Sequence, residues 1–293
     1  MGAKKRAAVS IAKWYRDFNE LIMFQHSVFS LPFIFIAMIV AADGWFGWRL
    51  LGLGVLAAVT ARNYAMLVNR YLDRDIDALN PRTKDRPSVD GRFSHTQLRW
   101  LILLNAVAFV AVAWAINGLA FWLSFPILVI LGGYSWFKRF SATAHLILGL
   151  SLGLAPIAGA VAVEATIPMW SVMLAVGVMF WVAGFDLLYS LQDMAFDKKM
   201  GLHSVPSRYG RDCTLFLARI FHGLAVLFWA FFTVEAGLGF FAWLGVVAGG
   251  AMLWYEHRIV AKDFSKIDRA FFTVNGYLGF VYLAAIVLDR SLS

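Results

Sequence analysis

The chain has 293 residues, 61% of them hydrophobic and 15% charged, with a mean hydropathy of +0.70 and a formal net charge of +8. A water-soluble domain of this length needs far more polar surface, which points to an all-α membrane bundle instead. Cys213 is the only cysteine, excluding a disulfide framework and a thiolate metal site.

Residues 1–20 are polar and basic, and no small-residue cleavage site follows the first apolar run. They are expected to be a cytoplasmic tail rather than a cleaved leader. Apolar runs then lie near 22–42, 50–68, 98–116, 119–137, 144–163, 169–189, 213–234, 237–255 and 270–288. Each matches the ~20 residues that a helix needs to cross ~30 Å of hydrocarbon. The expectation is a single membrane domain over 1–293, a bundle of nine transmembrane helices with Asp-rich loops after helices 2 and 6. Spans 3/4, 5/6 and 7/8 have very short links, the mark of tight helical hairpins.

Basic residues sort by loop parity. The tail, the 69–97 loop with the start of span 3, and the links after spans 4, 6 and 8 hold 22 Lys and Arg, whereas Arg49 and Arg290 alone lie on the other side. The positive-inside rule then puts the N-terminus and the Asp-rich loops in the cytoplasm and the C-terminus outside. The +8 is thereby explained as topology, without nucleic acid.

Topology does not explain clustered Asp. Nine of the 18 acidic residues fall between Asp73 and Asp90 or between Asp186 and Asp212. Asn69, Asp73 and Asp77, at i, i+4 and i+8, form one stripe of a helix extending span 2, with Asp75 pointing elsewhere. Asp186, Tyr189, Asp193 and Asp197 share a face at the end of span 6. Asp at a helix end is commonly a solvated cap. Like charges four apart repel, however, and two such sets on one side call for a compensating cation. Carboxylate oxygens suit Mg²⁺, which bridges carboxylates to phosphate oxygens. Arg86, Lys138, Arg139, Lys198 and Arg208 surround these loops, each by itself an ordinary topological anchor. Arg62 lies deeper, inside span 2 on the Asn69 face, where a charge normally faces a polar cavity.

Asn-x3-Asp-x3-Asp after span 2, Tyr134-x3-Lys138 after span 4 and Asp193-x3-Asp197 after span 6 together resemble the UbiA superfamily of intramembrane aromatic prenyltransferases. Arg86-Pro87, Lys138-Arg139 and Gly201-Leu-His-Ser204-Val-Pro-Ser-Arg208-Tyr-Gly210 extend the resemblance along most of the chain. The wording around Asn69 is most similar to the 4-hydroxybenzoate polyprenyltransferase-like branch. The resemblance implies Mg²⁺ and a polyprenyl diphosphate held by Asn69, Asp73, Asp77, Asp193 and Asp197. It implies that Arg62, Lys138, Arg139 and Arg208 neutralise phosphate or carboxylate charge, with Asp193, Arg62 and Lys138 nearest the chemistry. Tyr134, Asp186, Tyr189 and His26 complete the expected substrate-binding set. The resemblance further implies an aromatic acid acceptor, 4-hydroxybenzoate or a carboxylated dihydroxynaphthalene, for ubiquinone or menaquinone in a bacterial inner membrane. The chain departs from the pattern at Asn69-Arg70, and at Met23-Phe24-Gln25-His26 in span 1, where 4-hydroxybenzoate enzymes often carry a basic pair. Two other classes stay open: a CDP-alcohol phosphatidyltransferase-like enzyme, whose longer Asp-Gly signature is missing here, and an ion-coupled transporter, which would place its charges nearer the midplane.

Overall fold

The computed structural model describes residues 2–23, 31–262, 267 and 273–292. The described secondary structure is helical: α1 (Gly2–Ile22), α2 (Leu31–Ala41), α3 (Trp48–Leu72), α4 (Arg74–Leu79), α5 (His95–Ile116), α6 (Gly118–Phe137), α7 (Ala144–Glu164), α8 (Met169–Ser190), α9 (Met194–Met200), α10 (Val205–Glu235), α11 (Phe240–Lys262) and α12 (Asn275–Leu292). Six of the described helical stretches are long and apolar enough to cross a membrane: α3, α5, α6, α7, α8 with its extension, and α10. The apolar helix α2 is shorter. The predicted first span therefore appears only in part, and His26 and Gln25 lie outside the described residues. The basic tail, given no structure from sequence, is the helix α1.

Local sequence explains the helix ends. Ser94 and Gln97 cap α5 reciprocally, the Gln97 N–H donating to Ser94 Oγ and the Ser94 N–H to Gln97 Oε1. Asn117, the single residue between α5 and α6, accepts from the Ala120 N–H at 2.8 Å and donates to the Val161 carbonyl at 2.7 Å. One side chain thus caps α6 and ties the hairpin to α7. Ser204 and Ser207 form the corresponding box at the start of α10, and Gly210 (φ 80°) interrupts that helix after its first turns.

Of the six candidate spans α8 is the most enclosed, packed between α7 and α10. Small residues permit this closeness: a Cβ on Gly149 would come within 2.3 Å of the Met179 carbonyl, and one on Gly184 within 2.2 Å of His222. Around α8 the rings of Phe33, Trp181, Trp229 and Tyr282 form the main core, with Phe33 and Trp181 centroids 5.0 Å apart. Trp181 Nε1 donates to Asn275 Oδ1 and Asn275 Nδ2 to Glu256 Oε1, both at 2.7 Å, so Asn275 links buried polar groups of α8, α11 and α12, with Glu256 Oε2 left without a hydrogen-bond partner. The outer surface is apolar, with Leu104, Val107, Val129 and Val247 exposed as lipid contact requires.

At the end bearing the Asp-rich segments, the long 80–94 connection is pinned down. Arg92 bonds Asp90 beside it and reaches Asp17 and Glu20 of α1. Arg70 Nε donates to the Leu21 carbonyl, fastening α1 to the end of α3.

Candidate active site

Both Asp-rich segments share one construction. Helix α3 stops at Leu72, and Asp73 (φ −90°, ψ 4°) joins it to the six-residue α4. Helix α8 runs through a 3₁₀ turn to Asp193 (φ −95°, ψ 1°), which joins it to the seven-residue α9. Each short helix carries the second carboxylate in its first turn, Asp77 or Asp197. The expected continuous stripe is thus corrected to a long helix, an Asp joint and a short helix. The Asp73-to-Asp77 register survives through a 2.8 Å backbone bond from the Asp77 N–H to the Asp73 carbonyl. The Asp75 side chain is 66% exposed whereas those of Asp73 and Asp77 are buried, as the face argument requires.

Basic side chains link the two turns. Lys138, capping the end of α6, sets its Nζ 2.7 Å from Asp73 Oδ2, and its charge also acts on Asp197. Arg82 grips Asp193 through Nε at 3.0 Å and through Nη2, and donates to the Tyr189 hydroxyl at 3.2 Å. Its charge also meets that of Asp77. Asp77 receives Arg86 Nη1 on both oxygens, at 2.8 and 2.7 Å. Asn69 donates to Asp73 Oδ2 at 2.8 Å, and Asn80 to Asp193 Oδ1 at 3.2 Å. Burial pushes the Asp73 carboxyl above the usual range, with Lys138 opposing. Burial also raises Asp197, its Ser204 hydrogen bond opposing and the Asp193 charge adding to the rise. Burial lowers Arg82, but its hydrogen bond to Asp193 and the charges of Asp193, Tyr189 and Asp77 together outweigh that and raise it.

Below these turns lies an apolar cavity of about 350 Å³ between α2, α3, α5, α6 and α7. Arg62 and Tyr134 supply polar atoms among its Ala-rich walls. Arg62 Nε is buried without a hydrogen-bond partner, an expensive arrangement in an apolar setting and one that suits an anionic occupant.

Not every expected site residue joins this group. Asp186 Oδ2 meets His145 Nδ1 at 2.6 Å, and His145 Nε2 accepts the Val205 N–H, so Asp186 braces α7 against the start of α10. Arg208 is exposed and has no side-chain partner among the described residues. The Arg139 fork lies chiefly on Asp75, with Nη2 to Oδ1 at 2.7 Å and Nη1 to Oδ2 at 3.1 Å; Nη2 also reaches the Leu72 carbonyl and touches the site group only at its edge, 3.9 Å from Asp73 Oδ1. Sequence reasoning missed Arg82 and Asn80 as site residues. Their only signal was Asn80-Pro81-Arg82 directly behind the first Asp turn.

A Mg²⁺ ion fits this donor set chemically. The carboxylate oxygens are hard, they lie on two turns bridged by common cations, and Asp73 Oδ1 is buried without a hydrogen-bond partner. Among the described residues no three carboxylate, imidazole or thiol side chains already converge as a metal cage. Shared ligation with a phosphate is how Mg²⁺ is usually held.

The UbiA prenyltransferase family matches residues 30–283. A 4-hydroxybenzoate octaprenyltransferase of Herminiimonas arsenicoxydans is 30% identical over 256 residues, covering 86% of this chain and 89% of its own length. One from Azoarcus sp. (strain BH72) is 30% identical over 258 residues, at 86% and 88% coverage. The apo structure of a UbiA homolog from Aeropyrum pernix K1 has a TM-score of 0.81 at 30% identity, covering 90% of this chain and 98% of that one. A UbiA homolog from Archaeoglobus fulgidus, solved with DMAPP and Mg²⁺, shares the fold at TM-score 0.72 and 20% identity, covering 94% of this chain and 100% of that one. The chain belongs to the UbiA prenyltransferase family and is a prenyl-transferring enzyme of the membrane.

Proposed function

We propose that this enzyme transfers a polyprenyl group from its diphosphate to an aromatic acid. The supporting observation is the pair of Asp turns, bridged by Lys138 and Arg82, above an apolar cavity that holds Arg62. Asn69, Asp73, Asp77, Asp193 and Asp197 would hold Mg²⁺ against the diphosphate; when bound, the ion polarises the leaving phosphate oxygens. Lys138, Arg82 and Arg86 neutralise these carboxylates in the structure. With the diphosphate present they turn to its oxygens, leaving the carboxylates to the metal. Arg62 and Tyr134 face the reacting end of the chain, and the apolar walls keep water from the allylic carbon as it gains cationic character. The acceptor ring attacks that carbon and then loses its proton. Arg139 holds the acceptor's carboxylate, and Arg208 at the mouth draws anionic substrates.

The acceptor is 4-hydroxybenzoate, the substrate in the relatives' names, or a carboxylated dihydroxynaphthalene, placing the enzyme in ubiquinone or menaquinone formation. The chain works as one domain of nine crossings in a bacterial inner membrane, with α2, α11 and α12 completing the count, the N-terminus and Asp turns cytoplasmic and the C-terminus periplasmic. Family membership sets aside the phosphatidyltransferase and transporter readings. Purified protein with octaprenyl diphosphate should prenylate one acceptor strongly in a side-by-side assay and release diphosphate only with Mg²⁺. No product from either acid, or equal release in EDTA, would overturn the reading.

A further inference from the structure

A second cavity, of about 550 Å³, opens between α10 and α11. Arg219, His222 and Gly223 line it from α10, and Gly250, His257 and Arg258 from α11. It shares no lining residue with the Arg62 cavity. Apart from Arg99 at the very start of span 3, Arg62 and Arg219 are the Lys and Arg residues that fall inside the predicted spans. Arg62 faces the reaction cavity, which leaves Arg219 without a role in the chemistry.

The positions of these groups along the bilayer follow from helix geometry. Helix α10 ends at Glu235 and α11 begins at Phe240, so their connection marks one end of an antiparallel pair. Arg219 lies about 24 Å and Arg258 about 27 Å from that connection, at 1.5 Å per residue. Both therefore sit near the far boundary of a hydrocarbon core about 30 Å thick, at the end carrying the Asp turns. Gly223 and Gly250 lie about 18 Å and 15 Å from the connection, well inside the apolar layer. A Cβ on Gly223 would meet nothing within 4 Å, so the missing side chain leaves open space. Neither guanidinium forms an ion pair or a hydrogen bond among the described residues; Arg258 stacks on Trp254 at 4.6 Å. Behind them His257 Nε2 meets His222 Nδ1 at 3.0 Å, and His222 Nε2 meets the Trp181 carbonyl at 3.2 Å, so the inner wall is polar but closed.

We propose that this cavity binds an anionic glycerophospholipid, its phosphate between Arg219 and Arg258 and an acyl chain laid along Gly223 and Gly250. The charge complementarity selects an anion, and the depth of the groove below the arginines selects one with an apolar tail. A free phosphate would leave the Gly-lined part empty. Two arginines that merely extend to water would need no lipid at all.

The test uses the full-length chain in detergent, depleted of lipid, with the thermal unfolding midpoint and native mass spectrometry as readouts. Dioleoyl phosphatidylglycerol should raise the midpoint by several degrees and remain as a one-lipid adduct, because a ligand of the folded state stabilises it. Dioleoyl phosphatidylcholine and inorganic phosphate should do neither. The Arg219→Gln/Arg258→Gln variant and the Gly223→Leu variant, whose Cβ would meet nothing within 4 Å, should each lose the shift and the adduct. If the double variant does not fold, Gly223→Leu decides alone. An equal shift with phosphatidylcholine or with phosphate, no shift in the unsubstituted protein, or an undiminished shift in a folded variant would each overturn the proposal.

Discussion

Lys138 Nζ lies 2.7 Å from Asp73 Oδ2, and the field of the same ammonium reaches Asp197, so one cation stands between the two Asp turns. The residue comes from α6, which belongs to neither turn, so the geometry of the site depends on three separate helices. Its backbone adds to the link, for the His203 N–H donates to the Lys138 carbonyl at 2.8 Å.

Lys138→Gln keeps a hydrogen-bond donor, one bond shorter, but removes the charge. Charge-assisted bonds are worth ~1.5–3 kcal/mol, so the KM for polyprenyl diphosphate should rise by roughly 10- to 100-fold. The KM for the aromatic acid should change little, and Lys138→Arg should recover part of the loss. Steady-state kinetics with each substrate varied in turn measures both. An unchanged diphosphate KM would make Lys138 a structural bridge only.

Arg82 and Asp193 supply a cycle. If their pairing is purely structural, Arg82→Gln and Asp193→Asn together should cost no more in kcat/KM than either alone. If each group also engages diphosphate or metal, the losses should add, because each has a separate partner in the loaded state. Additive losses are expected, each of about 10-fold or more for a charged contact to substrate. Strong coupling in the cycle would contradict the exchange of partners on binding.

Arg62 separates stability from activity. Its Nε is buried without a partner, and an unpaired guanidinium in an apolar cavity is destabilising. Arg62→Met should therefore leave the unfolding midpoint unchanged or higher while lowering kcat by about 10²-fold, the scale of losing one electrostatic contact to a transition state. A lower midpoint with kcat retained would mark Arg62 as a structural residue.

Much of this site was legible in the sequence because its signals are periodic. Spacing by four put Asp73 and Asp77 on one face and sent Asp75 outward, and the structure agrees. The break at Asp73 was not legible, since Leu72-Asp73-Arg74 contains neither Gly nor Pro to announce it. Asp186 fits the helical period of Asp193 equally well, yet His145, 41 residues earlier, engages it. Periodicity shows which residues share a face; it does not show what another helix brings to that face. The same limit hid Arg82, a loop residue whose partner Asp193 is 111 positions away. Six of the expected spans stand as helices long and apolar enough to cross a membrane, whereas the Gly2–Ile22 helix lies outside every span and its polar sequence gave no sign of it.

The network in the core gives a prediction about folding alone. Asn275 accepts from Trp181 and donates to Glu256, and all three are buried. Asn275→Leu would leave two buried polar groups unsatisfied, each at about 1–3 kcal/mol. A marked fall in the unfolding midpoint is expected, with the substrate KM values of the folded fraction unchanged. A midpoint equal to that of the unsubstituted protein would show that other groups or water satisfy Trp181 and Glu256.

The acceptor's carboxylate poses the sharpest question, because the fork proposed to hold it is already occupied. Arg139 binds Asp75 with two bonds, and Asp75 is 66% exposed. An exposed pair of this kind contributes at most about 1 kcal/mol, so a substrate carboxylate arriving with a ring to bury can displace it. Asp75 then acts as an internal competitor for the acceptor. Asp75→Asn should lower the acceptor's KM by a few-fold, and Arg139→Lys, which keeps the charge but loses the planar fork, should raise it by about 10-fold. Neither should move the diphosphate KM. The Arg139 hydrogen bond holds Asp75 below its ordinary range. Its contribution to stability is present above the unfolded carboxylate pKa and is lost only as pH falls through the lowered folded value, so assays near neutral pH are free of that titration. If Asp75→Asn raised the acceptor KM along with Arg139→Lys, the pair would be acting as a brace for the Asp73 turn. The acceptor carboxylate would then need another partner, with Arg208 the next candidate.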